Sequence, residues 1–572
     1  MINKISLFYN TLRYLSVEQF LYLVLYRLKS KYNKRKIFPI DSFDDIKTLS
    51  LIDSVENKKN KYADSYFLFL NEKQHVDLLK FKWTSNNKSK LWRYNLHYFD
   101  WLKDKDINFN TEQKKILINL WIENCRPVQE DAWESYPASL RVVNWIKYFI
   151  RLKQSGSDVP ENWAVSLYEQ CSWLNKNIEY HLRANHLFKN SVALIFAGSY
   201  FQGETARKWF RQGIDIFSKE ITEQFHQDGG HFERSPMYHA LCLEDVLDTY
   251  NILANAEGNK QNDATMDAIK NFLPKGFCYL KSVTFPDGEV SYLGDSVKGI
   301  AATYEELKAY YFRIFSSYPE DGQAKTNNTQ ASNAILFKKT GVFIYEDFQQ
   351  KTILNLGKPS PDYQPGHSHC DLFSYELFAK KINSRLVVDS GVCEYQRGKY
   401  RHYCRSTRAH NTVVVNHQDQ NEIWGEFRVA RRVSSVEYEC SISPDKTVTA
   451  INMSHDGYRR IGRHVRHHRH INFSDQEMTV ADKVTGQGVS EMVSYIHLHP
   501  DINIEKKSSA RMLLNKGSQI VGEINIESGQ VTIEKGWYFP EFGIKQSNLV
   551  LAIEQDHSAL FETRYALKLY SN

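Results

Sequence analysis

Apolar residues recur with helical spacing from about residue 90 to residue 315. In the segment WESYPASLRVVNWIKYFIRL, one face of a helix would collect Leu140, Val143, Ile146, Phe149 and Ile150. Comparable stretches cover residues 163–179, 185–202, 206–225, 238–255, 264–281 and 304–316, and short polar or Gly-containing turns separate them. The pattern predicts a domain of consecutive antiparallel helices.

The pattern changes at the polar segment 316–334, SSYPEDGQAKTNNTQASNA. Beyond it the chain consists of short alternating runs such as GVFIYE, KTILNLG, FSYELFAK, SRLVVDSG, NTVVVN and QIVGEINIES. Many short runs between Gly, Asn, Asp and Ser turns predict an antiparallel β-sandwich. We therefore expect a helical N-terminal segment over 1–90, a helical domain over 91–325 and a β-domain over 335–572.

Length and charge exclude a single small domain and a nucleic-acid-binding protein. A chain of 572 residues exceeds the size of a single hydrophobic core. Its 73 Lys and Arg against 67 Asp and Glu give a net charge of +6, too small and dispersed for nucleic-acid binding but compatible with a cleft for an anionic polymer. Eight Cys without a CxxC pair predict free thiols and a cytoplasmic location.

The N-terminus combines a short apolar stretch, Phe20 to Tyr26, with a basic block that follows it. No run approaches the ~20 apolar residues of a membrane-spanning helix, and no signal-peptide cleavage site is recognised. We expect an amphipathic helix that either docks on its own protein or makes peripheral contact with a membrane.

Two polar clusters fall in the helical part. In RANHLFKN, Asn185 and His186 open a helix, where such side chains also serve as ordinary caps. In DGGHFERSPMYHAL, a Gly-Gly turn and Glu233 precede Tyr238 and His239. A loop leading into a helix N-terminus points its side chains into a cleft, although Tyr238 taken alone fits a packed aromatic better than a site residue.

Two further clusters fall in the β-rich part. In PGHSHCDLFSYEL, the period of two of a strand would put His367, His369 and Asp371 on one face. With Asp389 and His410, His369 forms an N,N,O ligand set of the kind zinc accepts, if the three segments converge. The tract HVRHHRH at 464–470 is expected to form an exposed basic strand, and a metal tract is the alternative.

Several motifs taken in order resemble the heparinase II/III family of polysaccharide lyases and its alginate-lyase relatives. They are RANHLFKN, GGHFERSPMYH, PDGEVSYLGDS, GHSHCDLFSYEL, VVDSGVCEY and RSTRAHNTVVVNHQDQNEIWGEFRVARR, between about residues 90 and 432. The resemblance implies an incomplete α/α toroid followed by an antiparallel β-sandwich. It also implies β-elimination on a uronate-containing acidic polysaccharide.

The resemblance assigns roles to single positions. Asn185 would hydrogen-bond the uronate carboxylate, with His186 as the neighbouring histidine of the cleft. Tyr238 would deliver a proton to the leaving oxygen, and His367 would be a catalytic histidine. Tyr400 or Tyr403 would be a second tyrosine, between which the spacing does not choose. Substrate contacts are expected from Arg183, Arg234, Glu233, His239 and Arg405, and a structural zinc from His369, Asp389 and His410.

Other activities stay open at this point. A uronate epimerase or another tailoring enzyme of polysaccharide biosynthesis would use the same carbanion chemistry, and the missing secretion signal favours it. A non-catalytic carbohydrate-binding protein would keep only the scaffold. A zinc hydrolase fits less well, because the sequence has no helical HExxH arrangement.

Overall fold

The computed structural model describes residues 2–33, 45–56, 61–63, 65–78, 81, 83–84, 87–103, 110–125, 130–255, 263–319, 333–442, 449–474, 477–556 and 561–570. Most of the expected interdomain segment 316–334 lies outside these ranges, and so does part of the charged connector at 52–65. Within them, a helical region precedes a region of antiparallel sheets, as the sequence predicts.

The helices cluster in the first 315 residues, with one short exception in the β-rich half. They are α1 (Ile2–Leu12), α2 (Val17–Asn33), α3 (Lys90–Tyr98), α4 (Thr111–Asn124), α5 (Glu130–Trp133), α6 (Ser135–Gln154), α7 (Glu161–Lys176), α8 (Ala184–Tyr200), α9 (Gly203–Gln224), α10 (Pro236–Asn255), α11 (Asp263–Ser282), α12 (Tyr304–Phe315) and α13 (Lys399–Arg405).

Three short strands lie near the N-terminus, and the others follow residue 333. They are β1 (Lys61–Ala63), β2 (Tyr66–Phe69), β3 (Glu72–His75), β4 (Asn333–Phe337), β5 (Val342–Glu346), β6 (Gln350–Asn355), β7 (Tyr375–Ala379), β8 (Ser384–Val387), β9 (Val413–Val415), β10 (Ile423–Trp424), β11 (Arg428–Val429), β12 (Val436–Ile442), β13 (Thr449–His455), β14 (Arg463–Phe473), β15 (Met478–Gln487), β16 (Glu491–His497), β17 (Ile502–Lys506), β18 (Arg511–Lys516), β19 (Gln519–Ser528), β20 (Gln530–Tyr538), β21 (Gln546–Asp556) and β22 (Phe561–Leu569).

The strands of the β-rich half form three large antiparallel sheets. Their orders are β4-β5-β6-β7-β8, then β12-β13-β14-β15-β22-β19-β18-β17, and β20-β21-β16-β9. Side chains of the first two sheets share one hydrophobic core, in which Tyr345 of β5 stacks on Phe473 of β14 with ring centroids 4.2 Å apart. Burial of each large apolar side chain in such a core contributes about 1.5 to 3 kcal/mol.

Local signals set the helix ends. The side chain of Thr303 accepts the backbone N–H of Glu306, and the Glu306 carboxylate accepts the Thr303 N–H, which caps α12. Asn110 and Gln113 cap α4 in the same reciprocal way. Inside the helical half, a large core contains the fully buried side chains of Trp92, Trp101, Trp121, Trp145 and Trp163.

A smaller core joins the two halves and carries the candidate site. Met237 and Tyr238 of α10 pack there with Val392, Cys404 and Phe539 of the β-rich half. The site is therefore built where the two halves meet.

The structure corrects three details of the sequence analysis. The segment expected to be helical over 1–90 also holds the three-stranded sheet β1-β2-β3. His367, His369 and Asp371 lie in a loop that precedes β7, not in a strand. The tract at 464–470 belongs to β14, where alternate side chains are buried and those between them are half-exposed after the first two residues.

Two further observations concern the described helices and the cysteines. No helix in the described part of the chain combines the length and the apolar composition needed to cross a membrane. All eight cysteines are free. The cytoplasmic location stays a prediction.

Candidate active site

Asn185 sits in the first turn of α8, after a strained stretch of backbone. Arg183 and Ala184 have φ angles of 58° and 52°, a left-handed conformation that costs free energy in residues other than glycine. The Asn185 side-chain amide donates to Glu233 Oε1 at 2.9 Å, and its backbone N–H donates to the same oxygen at 3.2 Å. Glu233 therefore fixes the direction of the Asn185 amide.

His186 lies beside this amide and is partly open to solvent. Its ring packs on Tyr136 with centroids 4.4 Å apart, and its Nδ1 lies 3.2 Å from Glu179 Oε2. Burial alone would lower the pKa of His186, but the Glu179 carboxylate outweighs it and raises the pKa above 6.5. The site thus favours a positive charge at this position.

Tyr238 and His367 are in direct contact across the interface of the two halves. Their rings are stacked with centroids 3.8 Å apart, and the Tyr238 hydroxyl lies 3.2 Å from the Tyr395 hydroxyl. Burial, reinforced by the neighbouring Tyr395, holds the pKa of Tyr238 well above its ordinary value of 10. Tyr238 is therefore a protonated phenol that can donate.

The second tyrosine of the site is Tyr395, which the sequence analysis does not select. Burial, reinforced by the nearby Asp295, also raises the pKa of Tyr395 well above 10. Tyr400 instead packs against Trp537, with ring centroids 5.5 Å apart. Neither Tyr400 nor Tyr403 is the tyrosine that contacts Tyr238, and the role of either as a second tyrosine stays a prediction. The sequence does contain a signal for Tyr395, because this residue ends the motif VVDSGVCEY.

Tyr403 is engaged elsewhere. Its hydroxyl accepts the backbone N–H of Trp537 at 3.3 Å. Burial raises the pKa of Tyr403 to about 12, so this phenol stays protonated as well.

Asp295 anchors the histidines of the site, and sequence reasoning misses it although it lies in the motif PDGEVSYLGDS. Its carboxylate contacts His367 Nδ1 and His369 Nε2, each at 2.8 Å, and it pairs with both terminal nitrogens of Arg401. Burial opposes ionisation, but Arg401 and the histidine hydrogen bonds hold the pKa of Asp295 well below 3.8. Asp295 is thus a permanent acceptor that fixes His367 through Nδ1.

The other ring nitrogen of His367 faces the helical half. Its Nε2 lies 3.8 Å from Glu233 Oε2, and Glu233 in turn holds Asn185. The structure therefore brings Asn185, Glu233, His367 and Tyr238 into one continuous set of contacts.

A glycine allows the loop of Asp295 to approach His367. Gly294 has a φ of +58°, and a Cβ atom at this position would lie 2.8 Å from the His367 carbonyl oxygen. The backbone N–H of Asp295 donates to that same oxygen at 3.0 Å. Only glycine fits here without displacing His367.

The residues expected to bind zinc lie close together but are not arranged as a ligand set. His410 Nδ1 is 2.7 Å from Asp389 Oδ2, and the rings of His369 and His410 are 5.3 Å apart. His369 Nδ1 and His410 Nε2 are buried without a hydrogen-bond partner. Within the described ranges, no three His, Cys, Asp or Glu side chains are placed to hold a metal ion.

The donor set therefore fits zinc only in part. Two unpartnered nitrogens are available, whereas the Asp389 carboxylate is engaged by His410. The zinc ion stays a prediction.

Two of the residues expected to contact substrate are buried and bind backbone groups, so their substrate contacts stay predictions. His239 is fully buried, and its Nε2 lies 2.9 Å from the Gly276 carbonyl oxygen. Arg405 is also buried, and it donates to the carbonyl oxygens of Ser368 and Glu426. Both side chains support backbone segments and do not face a cleft.

The two other arginines lie at the edge of the site. Arg183 pairs with Glu223 at 2.9 Å and lies over the ring of Tyr363. Arg234 crosses to the β-rich half, where its guanidinium donates to the Lys358 carbonyl oxygen. Contacts of either arginine with substrate stay predictions.

Known proteins with similar sequences are lyases by name. The chain is 24% identical over 347 residues to a heparin-sulfate lyase of Pedobacter heparinus, which covers 57% of this chain and 48% of that protein. It is 22% identical over 424 residues to one of Bacteroides thetaiotaomicron, covering 66% and 59%. A match to one of Bacteroides stercoris, 26% identical, covers 42% and 37%. The matched segments thus span about half the length of these relatives.

Solved structures show the fold. A crystal structure of heparinase III aligns with a TM-score of 0.66 at 18% identity, covering 95% of this chain and 91% of that one. The heparan sulfate lyase HepC from Pedobacter heparinus, in a mutant form, aligns with a TM-score of 0.60 at 17% identity, covering 97% and 88%. The predicted fold, an α/α toroid followed by a β-sandwich, is the fold of these heparinases.

Family models match nearly the whole chain in two parts. The model described as Heparinase II/III N-terminus matches residues 17–325. The model described as Heparinase II/III-like, C-terminal, matches residues 329–565. By these matches, the chain belongs to the heparinase II/III family.

Proposed function

We propose that this protein is a polysaccharide lyase that cleaves a uronate-containing acidic polysaccharide by β-elimination. The observation that carries the proposal is the contact of a protonated phenol, Tyr238, with an imidazole, His367, beside the amide of Asn185. These are the groups that removal of a C5 proton and loss of O4 require. The names of the related heparin-sulfate lyases support a glycosaminoglycan as the polymer.

The first task is to bind the uronate carboxylate. Asn185 would offer the amide that both Glu233 oxygens orient, at 2.9 and 3.1 Å, and His186 favours its charged form. Removing the C5 proton concentrates further negative charge on the carboxylate, so donors that are already oriented stabilise the transition state. A well-placed donor of this kind contributes about 3 to 4 kcal/mol.

The second task is to remove the C5 proton. Both Tyr238 and Tyr395 are held as neutral phenols, so neither supplies a resting phenolate. His367, oriented by Asp295 through Nδ1, offers Nε2 as the base. A base in this geometry contributes about 10²- to 10⁴-fold to the rate.

The third task is to protonate the leaving oxygen. As Nε2 of His367 takes the C5 proton, the C–H electrons form the C4–C5 double bond and the C4–O4 bond breaks. Tyr238 gives its proton to O4, and the Tyr395 hydroxyl stabilises the phenolate that forms. Proton return from His367 to Tyr238 through solvent restores the site, so the net transfer is from C5 to O4.

Zinc at His369, Asp389 and His410 also remains a proposal. It would supply structural bracing beneath the loop of His367, and no step of the elimination involves it.

The test is a panel of uronate polymers followed by the ultraviolet absorbance of the unsaturated product. Tyr238→Phe is expected to lower kcat by at least about 10²-fold while polymer binding is retained. Tyr375→Phe is the matched control, because Tyr375 also shares a hydrogen bond with a second buried tyrosine, Tyr565, at 3.0 Å, but in the β-rich core. Its kcat is expected to equal that of the unmodified protein.

Two outcomes would contradict the proposal. Exchange of the C5 hydrogen in heavy water without new absorbance would indicate a uronate epimerase. Polymer binding with neither signal would indicate a carbohydrate-binding protein.

A further inference from the structure

The consecutive helices α1 and α2, residues 2–33 and called the N-terminal hairpin below, have an unusually apolar surface. Of the 19 large hydrophobic residues that are exposed in the described part of the chain, 11 belong to this hairpin. They are Ile5, Phe8, Tyr9, Leu12, Val17, Phe20, Leu21, Val24, Leu25, Tyr26 and Leu28. Clustering of this kind marks an interaction surface.

One face of the hairpin is fixed to the body of the protein. On α2, Gln19 donates to the His181 carbonyl oxygen at 3.2 Å, and Tyr22 stacks on Tyr180 with centroids 4.8 Å apart. On α1, Thr11 accepts the indole N–H of Trp424 at 3.0 Å. The hairpin thus touches both halves and is held as a defined element.

The opposite face of α2 is apolar as well. Val17, Leu21, Val24 and Leu28 follow each other at intervals of four, three and four residues, which places them on one stripe turned away from Gln19. Their exposed fractions are 79%, 56%, 41% and 62%. An ordinary surface helix carries polar residues on this side, so the stripe is suited to an apolar environment.

Charge is concentrated in the same part of the chain. Residues 1–40 contain eight Lys and Arg and one acidic residue, Glu18, a net charge of +7. The net charge of the whole chain is +6, so the remaining residues together carry −1. Attraction to an anionic partner is therefore a property of the N-terminal segment.

We propose that the N-terminal hairpin docks on a membrane surface that contains anionic lipids. An apolar stripe combined with a basic segment is the pattern of a helix that lies in the interface, with its apolar face about 5 to 10 Å deep. An anionic sugar polymer would satisfy the charge but leave the stripe exposed to water. A second copy of this chain would cover the stripe but carry the same charge.

The inference does not depend on the proposed lyase activity. The full chain is mixed with vesicles of phosphatidylcholine alone, or of phosphatidylcholine with phosphatidylglycerol, and separated by flotation. We expect binding to the anionic vesicles, weak binding to the neutral ones, and release by added salt.

Two variants separate the apolar and the charged contributions. Leu21→Gln, Val24→Gln and Leu28→Gln together keep helix propensity but remove the stripe, and they are expected to weaken vesicle binding by about 100-fold. Lys29→Gln with Lys31→Gln is expected to weaken it by about tenfold.

The control substitutes exposed apolar residues elsewhere. Ile520→Gln with Ile533→Gln changes side chains that are 38% and 41% exposed on the β-rich half, and it should leave vesicle binding unchanged. Unchanged circular dichroism and melting temperature of each variant show that the fold is intact.

Three results would overturn the proposal. The first is no binding of the unmodified chain to either vesicle. The second is a dimer by light scattering that the triple Gln variant dissociates. The third is binding of a uronate polymer that the Lys variant loses and the triple Gln variant keeps, without any vesicle binding.

Discussion

Asp295→Asn is expected to lower both the free energy of unfolding and kcat, and a control variant distinguishes the two effects. The side chain of Asp295 is fully buried, and Arg401, its partner, is 1% exposed. The Arg401 Nη2 to Asp295 Oδ2 distance is 2.9 Å, and two histidines contact the same carboxylate. An Asn side chain keeps the shape but leaves the guanidinium without a counter-charge.

The expected cost follows from this burial. Removing one partner of a buried ion pair costs about 3 to 5 kcal/mol, since the other charge stays desolvated. Asn still accepts one hydrogen bond, so we expect a value near the lower limit, about 3 kcal/mol. The variant Asp295→Asn with Arg401→Met removes both charges and should recover part of this loss.

The chain offers a matched control for this experiment. Asp482, also fully buried, pairs with Arg469 at 2.8 Å and contacts His467 at 2.8 Å, in the core of the β-rich half. Asp482→Asn should therefore lower the free energy of unfolding by a similar amount. It should leave the kcat of the folded protein unchanged.

The two variants are compared by urea unfolding and by initial rates of ultraviolet absorbance, at a temperature where both are folded. Asp295→Asn is expected to lower kcat by about 10²- to 10⁴-fold beyond the effect of Asp482→Asn, because a single amide oxygen cannot replace the two carboxylate oxygens that hold His367 and His369. A kcat equal to that of the control would refute the role of Asp295 in holding the base.

Three other predictions use features of the same site. Glu179→Gln removes the carboxylate that raises the pKa of His186 above 6.5, so His186 loses its positive charge at a lower pH than in the unmodified protein. KM should therefore begin to rise at a lower pH, and identical KM–pH profiles of the two proteins would contradict this. Gly294→Ala brings a Cβ to 2.8 Å from the His367 carbonyl oxygen and should lower the urea midpoint of unfolding. Gly517→Ala is the control, because Gly517 has a similar φ of +61° but no neighbour within 4 Å, and it should lower the midpoint less. Equal midpoints would show that the close approach at Gly294 is not needed. Purified protein should contain one zinc, and a chelator should lower the melting temperature before it lowers kcat; metal analysis without zinc would end the zinc proposal.

The helical half was the most predictable part of the fold. The stretches expected over 185–202 and 238–255 correspond to α8, Ala184–Tyr200, and α10, Pro236–Asn255. Helical periodicity and Gly-containing turns are local signals, so each element is specified by its own residues. The three-stranded sheet β1-β2-β3 was missed, because such short strands carry too little periodicity to be distinguished from loops.

The sequence predicts that His367 and His369 point to the same side, which is correct, but strand alternation is not the reason. Strand alternation predicts a common face for them, whereas both histidines lie in a loop. They face one carboxylate because Asp295, some 70 residues away in the chain, reaches them through the turn at Gly294. No local pattern contains this contact, so the partner of the two histidines was visible only in the folded protein.

In the histidine-rich tract 464–470 the strand was predicted correctly, but the burial of its side chains was not. His468 and His470 of β14 are half-exposed, whereas His467 and Arg469 on the other side are fully buried. A buried carboxylate, Asp482 of the neighbouring strand, makes this burial possible. The composition of the tract predicts an exposed basic strand. Composition alone does not show that strand pairing places the carboxylate of Asp482 next to His467 and Arg469.

The proposed acid and base come from different halves, so their separation depends on the interface and not on either fold alone. Tyr238 belongs to α10, whereas His367 belongs to the β-rich half. Asp228 of the helical half fixes the loop before β5 by accepting the backbone N–H groups of Lys339 and Thr340 at 2.7 and 3.0 Å. A displacement of about 1 Å between reacting groups costs up to about 10²-fold in rate. Contacts such as those of Asp228 are therefore expected to act on kcat, because they fix the β-rich half, which carries the imidazole, against the helical half, which carries the phenol.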